Sequence, residues 1–117
     1  MPKSENDRRI DYIEMAATSI AETKRFYVEA FGWEFTDYGP DYTSFQDGRL
    51  SGGFYRAEQV SAGSVLVVIF AVELEAAQEK VESAGGKISK AIFRFPGGRR
   101  FHFKDPSGNE LAVWSDR

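Results

Sequence analysis

The sequence predicts an α+β domain of two tandem βαβββ modules whose strands form a curved mixed sheet, a cup with the helices on its outer face. Three observations predict it. A strand-like apolar run, Tyr12–Ala17, leads into an amphipathic stretch closed by Gly32, and a second run, Val65–Val72, leads into another closed by Gly85 and Gly86. Setting Ile20 on Leu74 also sets Gly32 on Gly86. The halves end alike, in Ser44-Phe45-Gln46-Asp47-Gly48 and in His102-Phe103-Lys104-Asp105-Pro106-Ser107-Gly108. Neither copy is long enough to bury a core alone, so the two must share one, and the space between pseudo-equivalent halves is where function is sought.

Each element has a local reason. Ser19-Ile20-Ala21-Glu22 has the spacing of a capping box, and Ile20, Thr23, Phe26, Tyr27, Ala30 and Phe31 then recur every three or four residues as one stripe. The second helix runs from about Glu73 to Ala84, with Leu74, Ala77, Val81 and Ala84 inward and Glu75, Glu79, Lys80 and Glu82 outward. Gly85 or Gly86 suits its left-handed cap. Three strands follow each helix: Trp33–Tyr38, Tyr42–Gln46 and Gly52–Arg56, then Lys87–Phe93, Arg99–Lys104 and Glu110–Ser115. Gly39-Pro40, Asp47-Gly48, Pro96-Gly97-Gly98 and Asp105-Pro106-Ser107-Gly108 mark the turns between them. A ferredoxin-like order would leave the extra strands unexplained.

Composition narrows the function classes. A chain of 117 residues suits one domain, and an apolar fraction of 42% with 15% aromatics is enough for a core. The reading is a polar, mobile arm over residues 1–9 and a single domain over 10–117, with module 1 at about 10–57 and module 2 at about 64–115. A net charge of −3 without a basic run argues against nucleic-acid or anionic-membrane partners. The absence of cysteine removes thiolate chemistry and disulfides, and no signal peptide or membrane-spanning run is present, so the protein reads as cytoplasmic.

The βαβββ duplication, the Phe26-Tyr27 pair, Phe31-Gly32-Trp33-Glu34 after the first helix, and Asp105-Pro106-Ser107-Gly108-Asn109-Glu110-Leu111 resemble the vicinal oxygen chelate superfamily. That group includes glyoxalase I, bleomycin-resistance proteins, fosfomycin-resistance proteins and extradiol dioxygenases, and the resemblance covers roughly residues 10 to 115. It implies a cup in which metal-using members take ligands from four corners. Carried over to this sequence, those corners are Tyr12, Gly52, Val67 and Ala112, where divalent metals want imidazole or carboxylate donors. With one histidine in the chain, the expectation is that the family's metal is not used and that no other cofactor is required.

Strand alternation sorts the remaining candidates. Phe101, Phe103, Leu111 and Val113 fall on the helix face of the last hairpin, leaving His102, Lys104, Glu110, Ala112 and Trp114 toward the cup. In the first strand Ile13 and Met15 face the helices, and Tyr12 and Glu14 face the cup. Glu14, flanked by apolar residues, is the leading candidate for acid/base chemistry, with His102 as second; desolvation of Glu14 would push its carboxyl upward. The alternatives are a Glu14 carboxylate that pairs with a neighbouring Lys or Arg or hydrogen-bonds at a subunit interface, and a His102 that is simply a partly exposed strand residue. Tyr12, Tyr55, Glu110 and Trp114 are candidate ligand-binding residues, the aromatic ones as stacking walls. Trp33 reads as packing. Arg94, Arg99 and Arg100 are either a rim clamp for an anion or solvated. Asp105-Pro106-Ser107-Gly108 reads as turn chemistry alone. Two functions remain open: a metal-independent small-molecule binder of the bleomycin-resistance kind, expected to be a homodimer as its relatives commonly are, or a metal-independent lyase or isomerase distantly related to lactoylglutathione lyase that uses Glu14.

Overall fold

The computed structural model describes residues 7–8, 10–63 and 65–117. The arm expected over residues 1–9 therefore lies, apart from Asp7 and Arg8, outside the described residues. Eight strands and two helices follow in the order β1 (Tyr12–Ala17), α1 (Ile20–Phe31), β2 (Glu34–Asp37), β3 (Tyr42–Gln46), β4 (Ser51–Arg56), β5 (Val67–Phe70), α2 (Leu74–Ser83), β6 (Lys87–Phe95), β7 (Gly98–Lys104) and β8 (Glu110–Ser115). This is βαβββ twice. The cup is built from two four-stranded mixed sheets, ordered β1-β4-β3-β2 and β5-β8-β7-β6. In each sheet the first strand of the module runs parallel to the last, and the other pairs are antiparallel.

The helix signals operate as the sequence implies. The Ser19 hydroxyl accepts the Glu22 backbone N–H at 3.2 Å, satisfying a donor that the first turn leaves open. Gly32 closes α1 with φ +74°, and Gly85 takes the left-handed position after α2 with φ +106°. Between helices and sheets lies one continuous aromatic core. Trp33 stacks between Tyr27 at 4.6 Å and Phe45 at 4.5 Å, and Phe26 and Phe31 of α1 reach Phe103 of the second sheet at 5.9 and 5.8 Å. Helix α1 thus packs on both modules. Phe101, Phe103, Leu111 and Val113 are fully buried on the helix side, as their alternation predicts.

The turn after β7 does more than reverse the chain. Asp105 is buried, and its Oδ1 accepts the backbone N–H groups of Ser107, Gly108 and Asn109. Its Oδ2 accepts the Tyr27 hydroxyl at 2.9 Å and the Asn109 amide at 3.2 Å. The same Asn109 amide donates to the Ala16 carbonyl of β1 at 2.7 Å, while Ser107 Oγ accepts the Thr18 N–H at 2.8 Å. One turn of module 2 is therefore fastened to both ends of the β1–α1 junction of module 1. This corrects the reading of the turn as local chemistry only.

Burial raises the Asp105 carboxyl above the ordinary carboxylate value, outweighing the hydrogen bonds that favour its ionised form. The unfolded chain then gives up this proton first as pH climbs, so Asp105 contributes most below the ordinary value and progressively less as pH rises through the raised one. The stability advantage of the wild-type chain over D105N, read by urea unfolding from about pH 3.5 to 7, is expected to shrink as pH rises. An advantage that grows instead would mean that the five hydrogen bonds win over burial.

Candidate functional site

The sheet faces turned away from the helices carry the polar and aromatic side chains, and each module builds its own half of the cup. In module 1, β1 contributes Tyr12 and Glu14, β3 contributes Tyr42, Ser44 and Gln46, and β4 contributes Ser51, Gly53 and Tyr55. The ladder sets Glu14 beside Gly53 and Gly53 beside Ser44. A Cβ on Gly53 would collide with the hydroxyls of Tyr42 and Tyr12. Its absence lets those two phenols meet at 2.6 Å, and the Tyr42 hydroxyl donates to Glu14 Oε2 at 2.8 Å. Burial of the Tyr42 hydroxyl, with its bonds to Tyr12 and Glu14 adding to the effect, pushes that phenol well above the ordinary tyrosine value. Tyr12, Tyr38, Tyr42, Ser44, Gln46 and Arg49 help to wall a cavity of about 1200 Å³.

Module 2 presents different chemistry. His102 is buried, and its Nδ1 lies 3.1 Å from Glu110 Oε2, an oxygen that also accepts the Ser89 hydroxyl at 3.2 Å. The hydrogen bond from His102 holds the Glu110 carboxyl below the ordinary glutamate value. Trp114 is half-buried, edge-on to Phe70 at 5.2 Å and tilted against Phe95 at 6.2 Å. Arg100 lies over the rings of Phe93 and Phe95 at 5.3 and 5.5 Å.

The structure therefore groups the six predicted site residues in two sets. Tyr12 and Glu14 are joined through Tyr42, with Tyr55 exposed on the same sheet face; His102 and Glu110 are joined directly, with Trp114 on their sheet face. Only Glu14 and Glu110 approach from opposite modules, sharing the wall of a cavity of about 120 Å³ with Val65, Val67 and Asn109. Tyr42 was missed by sequence reasoning, although its place at the start of an alternating strand opposite Tyr55 was a usable signal.

Three expectations are corrected. Glu14 is exposed, so the desolvation inferred from its apolar neighbours does not occur; those neighbours point to the other side of the sheet. Gly52 and Val67 are not cup positions. A Cβ on Gly52 would strike the Ile13 carbonyl and the buried Phe45 ring, and Val67 packs against the core. The cup-facing residues one step along are Gly53 and Val68, paired with Glu14 and Ala112. Of the three arginines, Arg99 is committed elsewhere, bidentate to Glu75 at 2.6 and 3.2 Å, whereas Arg100 does face the cup.

The fold recurs in solved structures. A glyoxalase-related enzyme from Fulvimarina pelagi superposes with a TM-score of 0.80 at 19% identity, covering 92% of this chain and 88% of that one. A genomically encoded fosfomycin resistance protein from Listeria monocytogenes, complexed with Mn(II) and a dihydroxypropylphosphonic acid, gives 0.82 at 16% identity over 94% and 91%. Lactoylglutathione lyase from Agrobacterium tumefaciens gives 0.74 at 18% identity over 92% and 93%. At such identities the likeness is one of fold. Among curated proteins none matches in sequence. Residues 9–113 match the family described as the Glyoxalase/Bleomycin resistance protein/Dioxygenase superfamily; with nearly the whole chain matched, two βαβββ modules and a cup between sheets and solvent, the protein belongs to that superfamily.

Proposed function

We propose that this protein binds a small molecule in its aromatic-lined cup without using a metal. The observation that carries this reading is the set of side chains at the centre of the cup: Glu14, Gly53, Val68 and Ala112. One carboxylate among a glycine, a valine and an alanine is not a donor set for a divalent ion. Among the described residues no three histidines, aspartates or glutamates converge. Phenols, hydroxyls, an amide and the charged side chains of Asp11, Asp47 and Arg49 instead surround a cavity roomy enough for a drug-sized molecule. Elemental analysis of the purified protein is expected to find no stoichiometric Zn, Ni, Fe or Mn, and chelators are expected to leave its melting temperature unchanged. A transition metal near one per chain, lost together with stability on chelation, would sink this part of the reading.

A thermal-shift panel of planar small molecules tests binding itself. A compound present at about 100 times its Kd adds roughly 2.7 kcal/mol of stability, a rise of several degrees for a domain of this size. That rise is expected to vanish in Gln46→Trp, whose indole occupies the cavity. A panel without any such compound, or an equal response from Q46W, would overturn the proposal. A second reading rests on the Tyr12–Tyr42–Glu14 chain, which places a carboxylate and an ordered phenol at hydrogen-bonding distance for general acid/base work. Mass spectrometry separates the two: a ligand recovered unchanged favours binding, and conversion abolished by Glu14→Gln favours the metal-independent enzyme.

The assembly that best fits the exposed surface is a homodimer. Strand β5 is a sheet edge, and Val68, Phe70 and Val72 on and after it are 43%, 49% and 50% exposed. An apolar edge of this kind pairs with something or aggregates. Sedimentation is expected to show a dimer at micromolar concentration, shifted toward monomer by Phe70→Lys. A wild-type monomer would refute it. No helix among the described residues is long and apolar enough to cross a membrane.

A further inference from the structure

Among the described residues, two buried side-chain polar atoms of the second half-cup have no partner. His102 is only 5% exposed, and with Nδ1 engaged by Glu110 its Nε2 is buried and makes no hydrogen bond. Two residues along the same face of β7, Arg100 holds its guanidinium over Phe93 and Phe95 while its Nε is likewise buried and unpartnered. Orphaned buried polar atoms are uncommon and each costs free energy. Two of them, on adjacent cup-facing positions and both touching the ring of Phe93, form one unfinished recognition surface.

We propose that this surface is a subsite for a planar aromatic carboxylate with a hydroxyl beside the carboxylate. Arg100 Nε–H donates to one carboxylate oxygen, and His102 Nε2, left as an acceptor because Nδ1–H is given to Glu110, accepts the neighbouring hydroxyl. The ring lies among Trp114, Phe95 and Phe93, and Trp114 is the cross-strand partner of Arg100. Glu110 fixes the imidazole through Nδ1, so Nε2 is the ring nitrogen left for a ligand. Room comes from β6, whose pairing with β7 shifts register between Ile88 and Lys90 and again between Lys90 and Phe93. Irregular pairing on an edge strand lets Phe93 move aside at less cost than in a regular ladder. Charge, stacking surface and a fixed imidazole acceptor together select a hydroxyl-bearing aromatic anion over a neutral ring or a bare anion. This inference rests on the reading of the cup as a ligand site and adds the ligand class and the module that receives it.

The two tryptophans of the chain make the test local. In a ¹H–¹⁵N spectrum, titration with 3-hydroxy-2-naphthoate is expected to move the Trp114 indole signal and leave that of Trp33, buried in the module 1 core, in place. The neutral 3-hydroxy-2-naphthamide, which keeps the hydroxyl, is expected to bind at least about tenfold more weakly, as is 3-hydroxy-2-naphthoate to Arg100→Gln, since a charge-assisted hydrogen bond is lost in each case. Equal binding of acid and amide to the unaltered chain would overturn the proposal irrespective of how any variant folds. So would undiminished binding by R100Q, or shifts confined to residues of module 1. Failure here alongside ligands that still depend on the Gln46 cavity removes the anion subsite alone, whereas loss of both removes the ligand-site reading.

Discussion

The arrangement depends on one buried carboxylate. Asp105 sits where water does not reach and satisfies itself with three amides of its own turn, the hydroxyl of Tyr27 and the amide of Asn109. Removing any of these partners would leave a buried charge or a buried donor without compensation, the more expensive side of the hydrogen-bond ledger. Because Tyr27 belongs to α1 and Asn109 also caps the Ala16 carbonyl, the network fixes the helix of module 1 against the hairpin of module 2. The aromatic core then has a reason to be continuous: Phe26 and Phe31 can meet Phe103 only if α1 is held across both sheets.

That seating decides which sheet faces are free. Apolar residues of both modules turn toward the helices, where burying each large side chain contributes roughly 1.5–3 kcal/mol, and the opposite faces are released from the core. Tyr12, Glu14 and Tyr42 on one sheet and Arg100, His102 and Trp114 on the other therefore lie on the cup side, outside the aromatic core. The halves have diverged in character. Module 1 offers phenols and a carboxylate, module 2 a guanidinium, an imidazole and stacked rings, so a ligand bridging them would be oriented by its own polarity.

Most of this was legible where a periodic signal and its punctuation agree. The capping serine, the closing glycines and the alternation through Phe101–Val113 each carry a local physical cause, and the structure follows them closely. Legibility ended where the signal was uniform or distant. Gly52-Gly53 gives no side chain to assign to a face, and Val65–Phe70 is apolar on both faces, so the register of the central positions slipped by one residue in β4 and β5. The role of Asp105 was hidden for another reason. A turn aspartate followed by proline, serine and glycine is fully explained by its own loop, and nothing local announces a partner in a helix of the other module.

The small residues at the centre of each half-cup tie these points together. In a metal-binding cup the central positions of the inner strands must carry long donors that converge on a point. Here the last strand of each module carries Gly53 and Ala112 instead, and their smallness does structural work. Without a side chain at Gly53 the hydroxyls of Tyr12 and Tyr42 close over the strand and reach Glu14. Ala112 is fully buried as the cross-strand partner of His102, whose imidazole is tilted against Phe93 at 5.9 Å. A carboxylate or imidazole introduced at Gly53 would collide with the hydroxyls now gathered there. The small residues at the centre of the half-cups and the polar and aromatic groups packed around them are thus one arrangement of volume, with Glu14 the one carboxylate among the four central side chains.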